Sequence, residues 1–299
     1  MSASVTARPW SAAWQRLGRL AFGGTAAPSS APAGRTADGG EAPGGWDQFG
    51  PHYDQPPFAG SPRVYVIASM PRSGSHLLGH LLFATGDMGS PLEYFHAGHR
   101  PRWQERFGVA TRPEVVRALF RHRTSPSGIF GAKAHWPQFA DVLADPALRA
   151  LLDVVLFVQI RRRDAVAQAV SLVVAEHTGG WISFQAEQRE PVYDGPAIAR
   201  ALLEIDVQER GWSDHFAREP TDVVRIDYED LVADQEGPVG VIRDRLGLPA
   251  VPCSPREVAL PGKQGGDRNR GWRDRFRDDL AAGRVGGCEL DRLREIAGR

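Results

Sequence analysis

The stretch "VYVIASMPRSGSHLLGHLLFATG", Val64 to Gly86, constrains this chain more than any other. Its first apolar run predicts a buried strand, the short polar segment a tight turn, and the leucine-rich run a helix. Strand, turn and helix with small residues at the turn form an anion-binding device. Backbone N–H groups converge at the helix N-terminus, and the helix dipole favours negative charge there. Ser73, Gly74 and Ser75 make this turn, with Arg72 beside them. The ATP version requires G-x-x-x-x-G-K-[ST], whose lysine spans the β- and γ-phosphates and whose hydroxyl ligates magnesium. This loop has one glycine, no lysine, and His76 where such a hydroxyl would stand. It suits a less charged, metal-free phosphate anhydride.

The rest of the chain repeats the alternation. Arg63–Ser69, Gly128–Trp136 with its exit loop, Asp153–Ile160 and Asp222–Asp227 read as strands. Helices are expected from about Ser75 to Thr85, over Arg112–His122 and Asp164–Thr178, and from Tyr228 onward. "DVVLFVQI" is apolar throughout, as a central parallel strand requires. The pattern predicts an α/β fold: a three-layer α/β/α arrangement with a central parallel sheet, like the P-loop nucleotide-binding proteins.

Of 299 residues, 42% are hydrophobic, enough for one sizeable core. The 36 basic and 36 acidic side chains cancel, which argues against a nucleic-acid polycation. Cys253 and Cys288 are the only cysteines and lack metal-site spacing, so a reducing, cytoplasmic setting is expected. No apolar run reaches the ~20 residues of a membrane-spanning helix. Residues 1–61 read as a largely disordered leader, rich in Gly, Ala, Pro and Ser from about Gly23. Within it, Trp10, Trp14, Leu17, Leu20 and Phe22 recur at helical spacing among four arginines, allowing a short helix, a transit peptide or a membrane-surface helix. The folded domain is expected over 62–299.

Six blocks carry a resemblance: "PRSGSHLL", "ATGDMGSPLEYF", "GAKAHW", "RRRDAVAQAVS", "DYEDL" and "KQGGDRNRGWRDRF". In this order, from about Val64 to Phe276, they resemble the sulfotransferases that use 3′-phosphoadenosine 5′-phosphosulfate (PAPS), especially the bacterial trehalose 2-sulfotransferase type. The resemblance implies that Arg72, Ser73, Gly74, Ser75 and His76 cradle the 5′-phosphosulfate. The 3′-phosphate would fall to Arg162 and Ser171, while Arg161 and Arg163 read as a solvated strand end. Lys263, Gln264 and Arg268, in a glycine-rich basic loop ahead of a helix, would close over the donor. The chain departs from the family at His76, where a hydroxyl residue is usual; an imidazole there can donate, or can protonate and strengthen anion binding.

Sulfuryl transfer to a hydroxyl also needs a base for the acceptor's proton. The trehalose-type resemblance assigns it to Glu93 in "SPLEYF"; the cytosolic sulfotransferases, with their K-x-H, assign it to His135, with Lys133 stabilising the leaving phosphate. Tyr94, Phe95 and Trp136 are candidates for the acceptor wall, and the stretch Gly179–Asp194 for the shape of that pocket. The acceptor is expected to be a carbohydrate, glycolipid or small metabolite, with no metal and no nucleic acid, and a homodimer stays open. Two other readings stand beside this one: a P-loop kinase or NTPase, and a non-catalytic nucleotide-binding relative.

Overall fold

The computed structural model describes residues 47–252, 255–262, 265–285 and 287–298. Expectations for residues 1–46, Cys253, Lys263 and Gln264 lie outside the described residues. Four strands form one sheet: β1 (Arg63–Ser69), β2 (Ile129–His135), β3 (Val154–Arg161) and β4 (Val223–Asp227). All pairs are parallel, in the order β2-β1-β3-β4.

Strand periodicity splits β1 between two cores. Val64, Val66 and Ala68 face one, with residues of α3 (Arg112–Arg123), α4 (Trp136–Ala144) and α7 (Gly195–Arg218). Tyr65 and Ile67 face the other, with Leu77, Leu78, Leu81 and Leu82 of α1 (Ser75–Ala84) and Ile242 of α9 (Glu236–Arg245). Each fully buried leucine contributes ~1.5–3 kcal/mol, so both helix layers are held mainly by apolar burial. The expected three-layer α/β/α arrangement is the observed one. Between them come α2 (Arg100–Phe107), α5 (Pro146–Leu151), α6 (Ala165–Thr178) and α8 (Tyr228–Ala233); α10 (Asp267–Ala281) and α11 (Leu290–Ala297) complete the fold. A third apolar cluster joins α6, α7, α10 and α11.

The strand order positions the site. From β1 the chain runs outward to β2 on one side, then crosses to β3 on the other. In open parallel sheets, ligands sit beyond the carboxyl ends of the strands where this reversal occurs. The "PRSGS" loop leaves β1 at that point. In the registers, Ser69 lies opposite His135 and Ile67 opposite Lys133, so β2 delivers both side chains beside the loop.

Residues ahead of the expected domain boundary at 62 also pack on the first core. Phe49 and Tyr53 are buried in the first core, and fully buried Arg123 donates to the carbonyls of Gln48 and Gly50. Composition marked this segment as unable to order itself; tertiary contacts order it. A correction concerns "DRNRGW", expected in a loop but forming the start of α10. Among the described residues, no helix is long and apolar enough to cross a membrane.

Candidate active site

The turn after β1 is shaped by two left-handed residues. Arg72 takes φ 62°, at a cost of ~1–2 kcal/mol for a residue with a Cβ, and Gly74 takes φ 92° as the cap of α1. Glycine is required at 74 twice over, because a Cβ there would lie 2.3 Å from Cδ2 of Tyr228. Tyr228 opens α8 directly after β4, and the Arg162 guanidinium lies 5.3 Å from the centre of its ring. The loop, the end of β3 and the end of β4 are thereby held together.

A cavity of about 910 Å³ opens at this edge of the sheet. At one end it is lined by Arg72, Gly74, Ser75, Arg162, Ser171 and Tyr228. Arg72 Nε donates to Ser171 Oγ at 3.0 Å, and its Nη1 donates to the Trp181 carbonyl. Burial, and then the neighbouring Arg162, lower the Arg72 guanidinium to about 10, still charged at neutral pH. Arg162 Nε and Ser73 Oγ are buried without a hydrogen-bond partner among the described residues. Buried polar atoms left unpaired are costly, and Arg162, unlike Ser73, lines the cavity, so its Nε points to a ligand there.

Glu93, Lys133 and His135 line the other end, joined by His76 and by Gln138 behind them. Glu93 Oε2 accepts from Lys133 Nζ, and Oε1 accepts from Gln138 Nε2 at 2.7 Å. Gln138 Oε1 accepts from the His135 backbone N–H at 3.0 Å, so one amide links the two candidate bases. His135 Nε2 stands 3.8 Å from Glu93 Oε2. Burial alone would raise the Glu93 carboxyl, but Lys133, His135 and the Lys133 hydrogen bond outweigh it and hold the group well below the carboxylate range. His135 is pushed down to about 4, by burial first and by Lys133 second. Lys133 also lies 3.3 Å from His76 Nε2, which accepts from it. Burial and Lys133 keep His76 well below its ordinary value, so this imidazole is neutral and adds no cation to the loop.

The three aromatic candidates for the acceptor wall pack away from this cavity. Tyr94 and Phe95 are buried in the first core, where Tyr94 stacks on Phe130 with centroids 5.7 Å apart and donates its hydroxyl to the Ser90 carbonyl. Trp136 packs on Trp212 at 5.3 Å. None of the three lines the cavity. Arg268 does not line it either: it pairs with Glu187, while Asn269, Arg270 and Arg273 face the cavity. Trp181, Ile182 and Gln185 bring the stretch Gly179–Asp194 to the wall, on the Arg72 side. Sequence reasoning assigned no role to Gln138 or Tyr228, and reached Trp181 only as part of the stretch Gly179–Asp194. Tyr228 at least stood inside "DYEDL"; Gln138 was marked only by its place three residues after His135.

Residues 64–279 match the family model of the Stf0 sulphotransferases. A trehalose 2-sulfotransferase of Mycobacterium tuberculosis (strain ATCC 35801 / TMC 107 / Erdman) is 30% identical over 257 residues, spanning 72% of this chain and 94% of that protein. Its counterpart in Mycolicibacterium smegmatis (strain ATCC 700084 / mc(2)155) is 28% identical over 260 residues, 73% of this chain and 96% of that one. Nodulation protein H of Rhizobium tropici is 26% identical over 202 residues, 64% of this chain and 78% of its own length. The family match takes in all four strands, the anion-binding turn and each charged cavity residue named above. The chain therefore belongs to the Stf0 sulphotransferase family and is a sulfotransferase.

Proposed function

We propose that this sulfotransferase takes its sulfuryl group from PAPS and transfers it in line to a hydroxyl of a carbohydrate, a glycolipid or a small metabolite. The observation that carries this reading is that one cavity is lined both by Arg72, Arg162 and the N-terminus of α1 and by Glu93, Lys133 and His135. Trehalose 2-sulfotransferase, a relative of most of the chain, names a sugar as its acceptor.

The donor supplies an activated sulfuryl group on a phosphate leaving group. Two features of the cationic end support a doubly anionic nucleotide. Arg72 and Ser75 stand at the N-terminus of α1, where helix dipole and N–H groups favour negative charge. Arg162, with its unpaired Nε, and Ser171 form a second basic locus suited to a 3′-phosphate. Lys263 and Gln264 remain proposals from the resemblance, and Arg268 acts through its pairing with Glu187.

At the other end Glu93 is the proposed base. Its carboxyl is ionised, and Gln138 orients one oxygen. While Lys133 is bonded to it, this carboxylate is a weak base. Lys133 turning toward the anionic oxygens of a bound donor would relax that restraint and place positive charge on the leaving phosphate. One observation favours a second reading, with His135 as base. Ser69 Oγ lies 3.2 Å from the Ala134 carbonyl and 3.1 Å from His135 Nδ1. With the Ser69 hydroxyl donating to that carbonyl, Nδ1 carries the imidazole proton and Nε2 keeps its lone pair beside Glu93.

Incubating the protein with PAPS and a panel of hydroxyl acceptors, and measuring adenosine 3′,5′-bisphosphate release, tests the reading. Acceptor-dependent release supports it. Failure to bind the bisphosphate by calorimetry, or activity lost to a chelator and restored by magnesium, overturns it. Metal is expected to be dispensable because the loop lacks both the lysine and the hydroxyl that a magnesium–triphosphate complex uses.

A further inference from the structure

Beyond Glu93, part of the cavity wall comes from a segment without any motif. Gln48 lines the cavity together with His96 and His99, and it lies outside the matched span 64–279. The residue is 7% exposed, and its Nε2 lies 3.1 Å from His99 Nδ1. That same nitrogen of His99 is 3.3 Å from the Glu93 carbonyl oxygen. Amide, imidazole and the Glu93 backbone thus make one polar wall next to the proposed base.

The wall is anchored. Arg123 donates to the Gln48 carbonyl at 3.3 Å from a fully buried position. Phe49 packs on Trp103 with ring centroids 4.6 Å apart, and Phe49 N–H donates to Asp47 Oδ1 at 3.0 Å. The backbone of Gln48 is therefore held on both sides along the chain, and the contact with His99 restrains its amide at the cavity wall.

The chemistry of this wall is neutral. Gln48 carries no charge, and burial pushes His99 below its ordinary value, toward the uncharged form. Neutral donors and acceptors match hydroxyl groups. A flat apolar ring placed against them would leave buried polar groups unpaired, and a charged acceptor would find no counter-charge there.

We infer that Gln48 is a specificity-determining residue: with His99, its amide binds hydroxyls of a neutral polyol acceptor beside Glu93. The inference rests on the sulfotransferase reading above. It also assigns an acceptor contact to a residue that the family match does not include.

The test uses the full chain with PAPS, offering trehalose, maltose and glucose as neutral polyols and 2-naphthol as a phenol. Wild type is expected to sulfate at least one of the polyols in preference to 2-naphthol. Gln48→Leu should raise the KM for that polyol about tenfold, the scale of one lost hydrogen bond, and by more than it lowers kcat. Gln48→Asn, which keeps the amide but shortens its reach, should fall between the two and decides the matter where the leucine variant does not fold. Affinity for adenosine 3′,5′-bisphosphate should be unchanged in both. Preference for 2-naphthol, an unaltered polyol KM, or an equal loss of bisphosphate affinity overturns the inference. A wild type that binds the bisphosphate yet sulfates none of the polyols also overturns it, leaving the sulfotransferase reading intact; a wild type that does not bind the bisphosphate overturns the donor reading itself.

Discussion

The two ends of the cavity handle charge in opposite ways. At the Arg72 end, the guanidinium donates to two neutral oxygens, Ser171 Oγ and the Trp181 carbonyl, and Arg162 lies close enough to lower its pKa. At the Glu93 end, Lys133 is already neutralised by a carboxylate, and both histidines are held uncharged. Two guanidinium groups held close together repel each other in the empty site, and an arriving anion relieves that repulsion. A balanced network does the reverse: it keeps each proton where it is until a partner is withdrawn. One end is built to bind and the other to move a proton.

The largest expected effect breaks this division at the proton end. Glu93→Gln keeps shape and hydrogen bonding but removes basicity, so kcat should fall ~10²–10⁴-fold while bisphosphate affinity stays near wild type. His135→Gln should cost less, and mainly in acceptor KM. The reverse ranking, measured on an identified acceptor with both variants folded, would make His135 the base. Near-normal turnover in both would remove the base from this end altogether.

Acid provides a second probe. His80, buried behind His76, is pushed down to about 4 from 6.5, mainly by burial, and His135 likewise. The unfolded chain binds these protons near pH 6.5 and the folded chain only near 4. Stability is thus fully present above 6.5 and is lost as pH falls from there toward 4. Each of the two groups contributes ~3 kcal/mol to that loss. Urea midpoints measured across this range at constant ionic strength should drop steeply; a flat profile would show that both imidazoles charge freely in the fold.

Binding sharpens the contrast at the cationic end. Arg72→Ala should weaken bisphosphate binding by ~1.5–3 kcal/mol, the scale of a charge-assisted hydrogen bond. Arg162→Ala should mainly reduce the preference for the bisphosphate over adenosine 5′-phosphate, read by calorimetry on both nucleotides. Equal wild-type affinity for the two would end the assignment of Arg162 to a 3′-phosphate. The smallest effect is expected at Arg268, whose partners Glu187 and Glu190 are themselves exposed. Arg268→Ala should change bisphosphate affinity by ~0–1 kcal/mol, and a loss as large as that of Arg72→Ala would put its guanidinium on the donor.

How far the sequence reached depended on the range of the interaction. The four strands and the helices α1, α3, α6 and α8 were legible from runs of apolar residues and their period, which report local geometry. The 24-residue α7 was not anticipated, although its Trp212 donates to the Ser69 carbonyl at the very end of β1. Aromatic residues misled in a specific way. Tyr94, Phe95 and Trp136 adjoin Glu93 and His135 in sequence, and a ring suits a sugar wall and a core equally well. Alternation along an irregular segment could not say which side each would take.

By itself, the sequence determined the sheet, the glycine turn with its arginine, and the order of blocks that marks a sulfotransferase. Each is written in residues close along the chain, where backbone geometry and side-chain period leave few alternatives. Tertiary structure alone decided that Gln138 bridges to Glu93, 45 residues away, and that Tyr228 fills the space a Cβ at Gly74 would need. It also decided that Gln48 faces the cavity from a segment whose composition favours disorder. Those placements come from packing between distant elements. The buried Arg123 that holds the Gln48 carbonyl lies 75 residues further along the chain, and no local pattern encodes that contact.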